Sequence, residues 1–337
     1  MAQITISNTG QALECEDDTV MRAAIRAGLG FPYECNVGSC GNCRFELVKG
    51  EVVHDRVDAP AWTDRDKQRN RYLGCQARPL SDCTIKVNLR DHYKSAHRPA
   101  RTQALLTEVE DITHDIREFR FRLAEPAPFL AGQYALLSVP GVQGARAYSM
   151  CNVSVSGEEW HFQIKRVPGG AATQRLFDMF AIGQSLHLDG PYGMAYLRED
   201  APRDILCLAG GSGLSPMVSI TRKAAVSDAL CHRTLHLVYG GRGARDICGE
   251  PILRNLPGYG VRIFYHPAVS APDTDPLSPP WEGHVGLVPD IARTLFGECL
   301  ARFEIYFAGP PAMAEAVTRM LVESKVPPAQ VHYDQFY

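Results

Sequence analysis

Four cysteines constrain this chain more than any other feature. Cys35, Cys40 and Cys43 follow a C-x4-C-x2-C spacing, and Cys75 stands apart in Leu73-Gly74-Cys75-Gln76. Three thiolates from one loop and a fourth from a distant one suit a [2Fe–2S] cluster, which needs four sulfur ligands around two irons. The loop must wrap closely enough for backbone N–H groups to reach the sulfurs, and Gly38, Ser39, Gly41 and Asn42 are small enough to allow it. A zinc site more often pairs two C-x2-C knuckles, and only one short pair is present. Cys15, Cys83, Cys151, Cys207, Cys231, Cys248 and Cys299 read as small buried hydrophobes. Eleven cysteines, an odd number, in a chain that opens without a secretory signal argue against a disulfide framework and for a reducing, cytoplasmic setting.

Length and charge narrow the classes further. The 337 residues are enough for roughly two to three domains. A formal net charge of −3 carries no signal for nucleic acid. The most apolar stretch, Ile205 to Ile220, is broken by Gly-Gly-Ser-Gly and Ser-Pro, so no membrane span is expected.

Three segments separate by pattern, with expected limits of 1–92, 100–199 and 203–337. The first opens as a hairpin across Asn8-Thr9-Gly10, then a helix capped by Thr19, then the cysteine loop and strands Arg44–Val48 and Thr84–Asn88. Arg90 to Arg101, polar and basic, reads as a linker. The second segment holds short alternating strands at Phe119–Leu123, Tyr134–Val139, Trp160–Val167 and Ser185–Leu188, the pattern of a small antiparallel barrel. The third alternates apolar strands (Ile205–Ala209, Leu235–Tyr239, Val261–Tyr265, Phe303–Phe307, Val331–Tyr333) with helices at Pro216–Ala229 and Ala312–Glu323. That alternation implies a doubly wound parallel α/β sheet.

The cysteine segment, with Phe31-Pro32-Tyr33-Glu34-Cys35-Asn36 and Tyr72–Gln76, resembles the plant-type [2Fe–2S] ferredoxin domain fused to flavoprotein reductases of bacterial aromatic-ring oxygenases. The resemblance implies a β-grasp fold with the cluster near one surface. The second segment resembles the flavin barrel of the ferredoxin–NADP reductase superfamily, in which an Arg-x-Tyr-Ser run, here Arg146-Ala147-Tyr148-Ser149, binds flavin. Arg146 is a fixed cation suited to the pyrophosphate. Tyr148 offers a flat ring and a hydroxyl. Ser149 can hydrogen-bond near the flavin N5, where a hydride arrives. Gly169-Gly170-Ala171-Ala172-Thr173 feeds a helix whose free N–H groups and positive dipole favour phosphate. Ile164 and Lys165 line the flavin through their backbone by resemblance, and FAD is favoured over FMN on the same ground.

Gly210-Gly211-Ser212-Gly213-Leu214-Ser215-Pro216 follows a strand and opens a helix, as a dinucleotide turn must. Gly240 and Arg242 end the next strand, where the adenosine ribose usually sits, and Arg242 with Arg245 leaves NADPH open beside NADH. Gly309 and Pro310 follow Ala308, where many relatives have Cys-Gly-Pro. The resemblance further implies that a terminal ring, Tyr337, shields the flavin until nicotinamide displaces it; an ordinary packed terminal strand is the other reading.

NADH gives two electrons as one hydride, whereas an iron–sulfur cluster takes one at a time. A flavin between them converts one currency to the other. The order ferredoxin, flavin barrel, nucleotide domain therefore implies an electron-transfer reductase. Its expected partner is a Rieske-type ferredoxin or a terminal oxygenase. A reductase feeding a deoxysugar dehydratase shares this domain order, and a redox-sensing module without turnover is the reading from another class.

Overall fold

The structure, a computed structural model, describes residues 1–272 and 280–334. Its N-terminal part is a β-grasp. Strands β1 (Ala2–Ile6) and β2 (Ala12–Cys15) form the hairpin, and helix α1 (Val20–Arg26) follows. Thr19 starts that helix by accepting the Arg22 backbone N–H on its side chain, which satisfies one of the helix's orphan donors. Next come β3 (Arg44–Lys49), β4 (Val52–His54), α2 (Asp64–Gln68), β5 (Arg71–Leu73), β6 (Ala77–Pro79) and β7 (Cys83–Lys86). The main sheet runs β2-β1-β7-β3-β5, with β4 and β6 paired separately. Strand β1 lies parallel to β7, so the first and last strands meet at the centre of the sheet.

The expected linker is largely ordered. Asp91–Tyr93 form a 3₁₀ turn, and the Tyr93 ring packs 6.2 Å from that of Tyr33. Burying the ring offsets the cost of ordering the turn. The barrel then comprises β8 (Ala100–Asp111), β9 (Ile116–Leu123), β10 (Tyr134–Ser138), β11 (Arg146–Ser149), β12 (Glu159–Lys165), α3 (Ala171–Asp178) and β13 (Ser185–Tyr192). Its order is β11-β10-β13-β8-β9-β12, and a bridge from Met150 to Phe162 brings the two edges together, so the antiparallel sheet is nearly closed.

The third part is an all-parallel sheet in the order β17-β16-β15-β14-β18-β19. Its elements are β14 (Asp204–Gly210), α4 (Leu214–Val226), β15 (Leu235–Gly241), α5 (Glu250–Leu253), β16 (Ile263–Val269), β17 (His284–Val285), α6 (Val288–Phe296), β18 (Phe303–Ala308), α7 (Pro311–Glu323) and β19 (Val331–His332). Helix α4 begins at Leu214, two residues before the expected start; Pro216 lies inside its first turn, where a missing N–H costs nothing. Cys231 and Cys299 are exposed rather than buried, because both fall on turns between elements instead of on core-facing strands. Among the described residues, no helix is long and apolar enough to cross a membrane.

Candidate functional site

The cysteine loop joins α1 to β3. Its tight path needs left-handed backbone at Asn36 (φ 58°), Gly38 (85°) and Gly41 (80°). At Gly41 a Cβ would lie 2.4 Å from Arg44 Nη1, so a side chain there would have to push the guanidinium aside. The wrapping aims the backbone N–H groups of Val37, Ser39 and Cys40 at Cys35 Sγ, each at 3.4 Å. Gln76 Nε2 lies 3.6 Å from Cys75 Sγ. The four cysteines are free, and their thiols interact in two pairs, Cys35 with Cys40 and Cys43 with Cys75. The neighbouring Cys40 thiol, with the loop N–H groups, holds the Cys35 thiol well below its ordinary value against the effect of burial. Cys43 is driven the other way by the neighbouring Cys75 thiol and by burial. Four converging sulfurs with amides aimed at one of them fit a [2Fe–2S] cluster.

A cleft of about 1200 Å³ separates this loop from the barrel. Asn36, Val37 and Gln76, neighbours of the cysteines, form one wall, and Arg146, Tyr148 and Ala171 form the other. The Arg146 guanidinium is exposed and folds back on the carbonyls of Gln143, Gly144 and Ala145. Tyr148 is half-buried, and burial pushes its hydroxyl up to about 12. The Ser149 carbonyl accepts a bond from Ser215 Oγ at 2.7 Å, which ties the flavin-type strand to the first turn of α4. Gly170 caps α3 without a side chain, leaving the helix start open. Thr173, two residues inside α3, is buried, and its hydroxyl bonds the Val167 N–H and the Gly170 carbonyl of its own turn. Ile164 is buried, while Lys165 Nζ reaches Asp115 at 2.8 Å. A dinucleotide-sized cleft walled by a cation, a ring and an open helix N-terminus fits FAD.

The residues expected at the nucleotide converge from three strands. Gly210, Gly240 and Gly309 stand at or just beyond the C-terminal ends of β14, β15 and β18, beside the point where the strand order reverses. Gly213 must be glycine: a Cβ there would sit 2.0 Å from the Ala308 carbonyl oxygen. Gly211 adopts a φ of 56°. Arg242 is exposed, and its backbone N–H donates to Asp246 Oδ2 at 3.0 Å. Pro310 leads directly into α7. Tyr337 lies outside the described residues.

The domain models agree with this geometry. A 2Fe-2S iron-sulfur cluster binding domain matches residues 4–80, an oxidoreductase FAD-binding domain 103–196, and an oxidoreductase NAD-binding domain 207–319. The chain is also 37% identical, over the whole of both sequences, to a ferredoxin–NAD(P)+ reductase of Metapseudomonas resinovorans. It belongs to the ferredoxin–NAD(P)+ reductase family. The reductase is likewise 36% identical to the ferredoxin–NAD+ reductase component of an alkene monooxygenase system from Xanthobacter autotrophicus, over 98% of this chain and 99% of the other. Among solved structures, the ferredoxin reductase in carbazole 1,9a-dioxygenase superposes with a TM-score of 0.90 at 35% identity, over 100% of this chain and 98% of that one. The protein is thus an NAD(P)H-dependent iron–sulfur flavoprotein oxidoreductase whose cofactors are FAD and a [2Fe–2S] cluster.

Several residues at the site escaped the sequence. His114, Asp115 and Asp246 meet where the barrel approaches the nucleotide turn, with His114 Nε2 3.6 Å from Asp115 and 3.7 Å from Asp246. Asp334 sits where all three domains meet: it accepts the Met194 N–H, and burial, with Glu34 near, pushes its carboxyl up to about 7. No local motif marks these side chains, which are brought in from separate domains.

Proposed function

We propose that this reductase supplies an aromatic-ring oxygenase system in the cytoplasm, passing electrons to a Rieske-type ferredoxin or to the terminal oxygenase. In this reading Cys35, Cys40, Cys43 and Cys75 ligate the cluster. Arg146, Tyr148, Ser149, Ile164, Lys165, Gly170, Ala171 and Thr173 bind FAD. Gly210, Gly211, Gly213, Pro216, Gly240, Arg242, Gly309 and Pro310 bind NADH, with NADPH as the other donor. The domains span 1–92, 100–199 and 203–337.

The observation that carries the reading is the shared cleft: residues adjoining Cys35 and Cys75 face Arg146 and Tyr148 across it within one chain. A bound flavin supplies the conversion of a hydride into single electrons. The chain's own part is placement. Arg146 and the start of α3 would hold the phosphates, and Ser149 would offer its hydroxyl at the edge where the hydride arrives. The Ser215 bond to the Ser149 carbonyl keeps that strand against the nucleotide turn. The likeness to reductases of oxygenase systems along the whole chain supports the partner class.

Anaerobic addition of NADH to the purified holoprotein is expected to bleach both the flavin and the iron–sulfur visible bands. Bleaching of the flavin bands alone would refute the internal electron path. If the reduced protein turns over an artificial one-electron acceptor but no oxygenase-system ferredoxin or oxygenase, the partner class is wrong.

A further inference from the structure

Arg22 lies on α1, between the cysteine loop and the cleft. Its Nε donates to Asn36 Oδ1 at 2.9 Å. Its Nη2 donates to the backbone carbonyls of Asn36, at 3.1 Å, and Cys75, at 3.4 Å. One guanidinium therefore spans the two loops that deliver Cys35 and Cys75, which are otherwise separate in sequence. It also fixes Asn36, whose left-handed backbone starts the wrap around the Cys35 sulfur.

The charge of this group is not spent on an ion pair. The carboxylates nearby, Asp18 and Asp189, are engaged by Arg26 and Arg101. Among the described residues, the hydrogen-bond partners of the Arg22 guanidinium are carbonyl and amide oxygens. A guanidinium stays protonated at any physiological pH, and a charge in a partly desolvated setting acts more strongly than one in water. Net charge and hydrogen bonding around the sulfurs are the levers that set the potential of such a site.

We propose that Arg22 is a positioning residue for electron transfer, raising the reduction potential of the four-cysteine site and so drawing the electron across the cleft. The inference rests on the assignment of those cysteines as cluster ligands. The step it favours is the arrival of one electron, which originates in NAD(P)H and comes by way of the flavin. One ferric ion becomes ferrous, no bond breaks, and the site gains one negative charge, which the fixed cation stabilises.

The test is an anaerobic redox titration of the holoprotein followed by electron paramagnetic resonance, on wild type, R22Q and R22K. R22Q is expected to keep its iron, since the four thiolates and the loop amides remain. Its cluster midpoint should fall by the equivalent of about a tenfold shift in the electron-sharing equilibrium, or ~59 mV for a one-electron couple, with the flavin midpoint unmoved. R22K keeps the charge without the planar fork and should recover most of the shift. An unchanged midpoint in R22Q would overturn the proposal. So would an equal fall in R22K, or loss of iron from R22Q but not from R22K, which would make the role structural. A wild-type holoprotein with no iron–sulfur signal would instead refute the ligand assignment.

Discussion

The ferredoxin domain and the nucleotide domain are fastened to the same barrel by different means. On the ferredoxin side the junction is ionic and aromatic. Arg26 Nη2 bonds both carboxylate oxygens of Asp189, at 2.8 and 2.7 Å, while its Nε pairs with Asp18 at 2.8 Å. Arg101 also pairs with Asp18 at 2.8 Å, and Asp18 and Asp189 are only 6% and 14% exposed. The Tyr134 hydroxyl donates to the Glu34 carbonyl, and the Tyr33 hydroxyl accepts the Gly193 N–H at 3.1 Å. Tyr134, Leu136 and Tyr192 of the barrel belong to the same apolar cluster as the ferredoxin core.

On the nucleotide side one face of α4 donates hydrogen bonds to barrel backbone carbonyls, with no carboxylate partner in them. Ser215 Oγ donates to the Ser149 carbonyl and Ser219 Oγ to the Asn152 carbonyl, both at 2.7 Å, and Arg222 Nη1 donates to the Cys151 carbonyl at 2.9 Å. Positions 215, 219 and 222 share a face because helical side chains four and three apart align. The first junction concentrates its energy in few desolvated charges, where loss of one partner strands the other. The second spreads it over separate bonds to backbone, worth on the order of 1–2 kcal/mol each.

The largest expected effect follows from Asp189→Ala. It leaves Arg26 without its bidentate partner and removes the acceptor of the Tyr192 hydroxyl. Destabilisation of roughly 2–4 kcal/mol is expected for a largely buried pair broken on one side. Urea unfolding followed at the cluster absorbance should show the ferredoxin domain melting first. If all domains still melt together at the wild-type midpoint, the ionic clamp is not what holds this junction.

Glu118, behind the second junction, comes next. It is buried and accepts Gln163 Nε2 at 2.9 Å and Arg120 Nε at 2.9 Å. Burial alone would raise its pKa, but His161 at 3.6 Å and the bonds from Gln163 and Arg120 outweigh this and hold it far below the usual range. A depressed carboxylate contributes stability above its unfolded pKa and loses it on acidification. Wild type should therefore weaken progressively below about pH 4. Glu118→Gln should cost about 2 kcal/mol at neutral pH and flatten that acid limb in thermal melts. An acid limb as steep as wild type in Glu118→Gln would show that another carboxylate governs it.

Ser215→Ala is the smallest change, losing a donor to Ser149 and an acceptor for the Gln163 N–H. A cost of about 1 kcal/mol is expected, together with weaker FAD retention measured by fluorescence on dilution. Unchanged FAD retention would detach this bond from the flavin strand.

Local motifs made much of the molecule readable in the sequence. The cysteine run, the Arg-x-Tyr-Ser strand and the Gly-Gly-x-Gly turn each complete their geometry within a few residues. Alternating strands and strand–helix alternation fixed the barrel and the parallel sheet for the same reason. Element ends were less readable: β13 runs on to Tyr192, beyond the expected Leu188, because pairing with β10 and β8 continues through Gly190-Pro191. No motif in the sequence marks Arg22. Its role depends on where Asn36 and Cys75 come to lie.

The sequence by itself determined the cofactor classes, the domain order and the general position of each site, since short-range spacing dictates which backbone turns can hold sulfur or phosphate. The tertiary structure alone decided which charges meet across domains, such as Arg26 and Asp189, 163 residues apart. Such pairs are chosen by the packing of whole domains, and no local pattern in the chain encodes the partner.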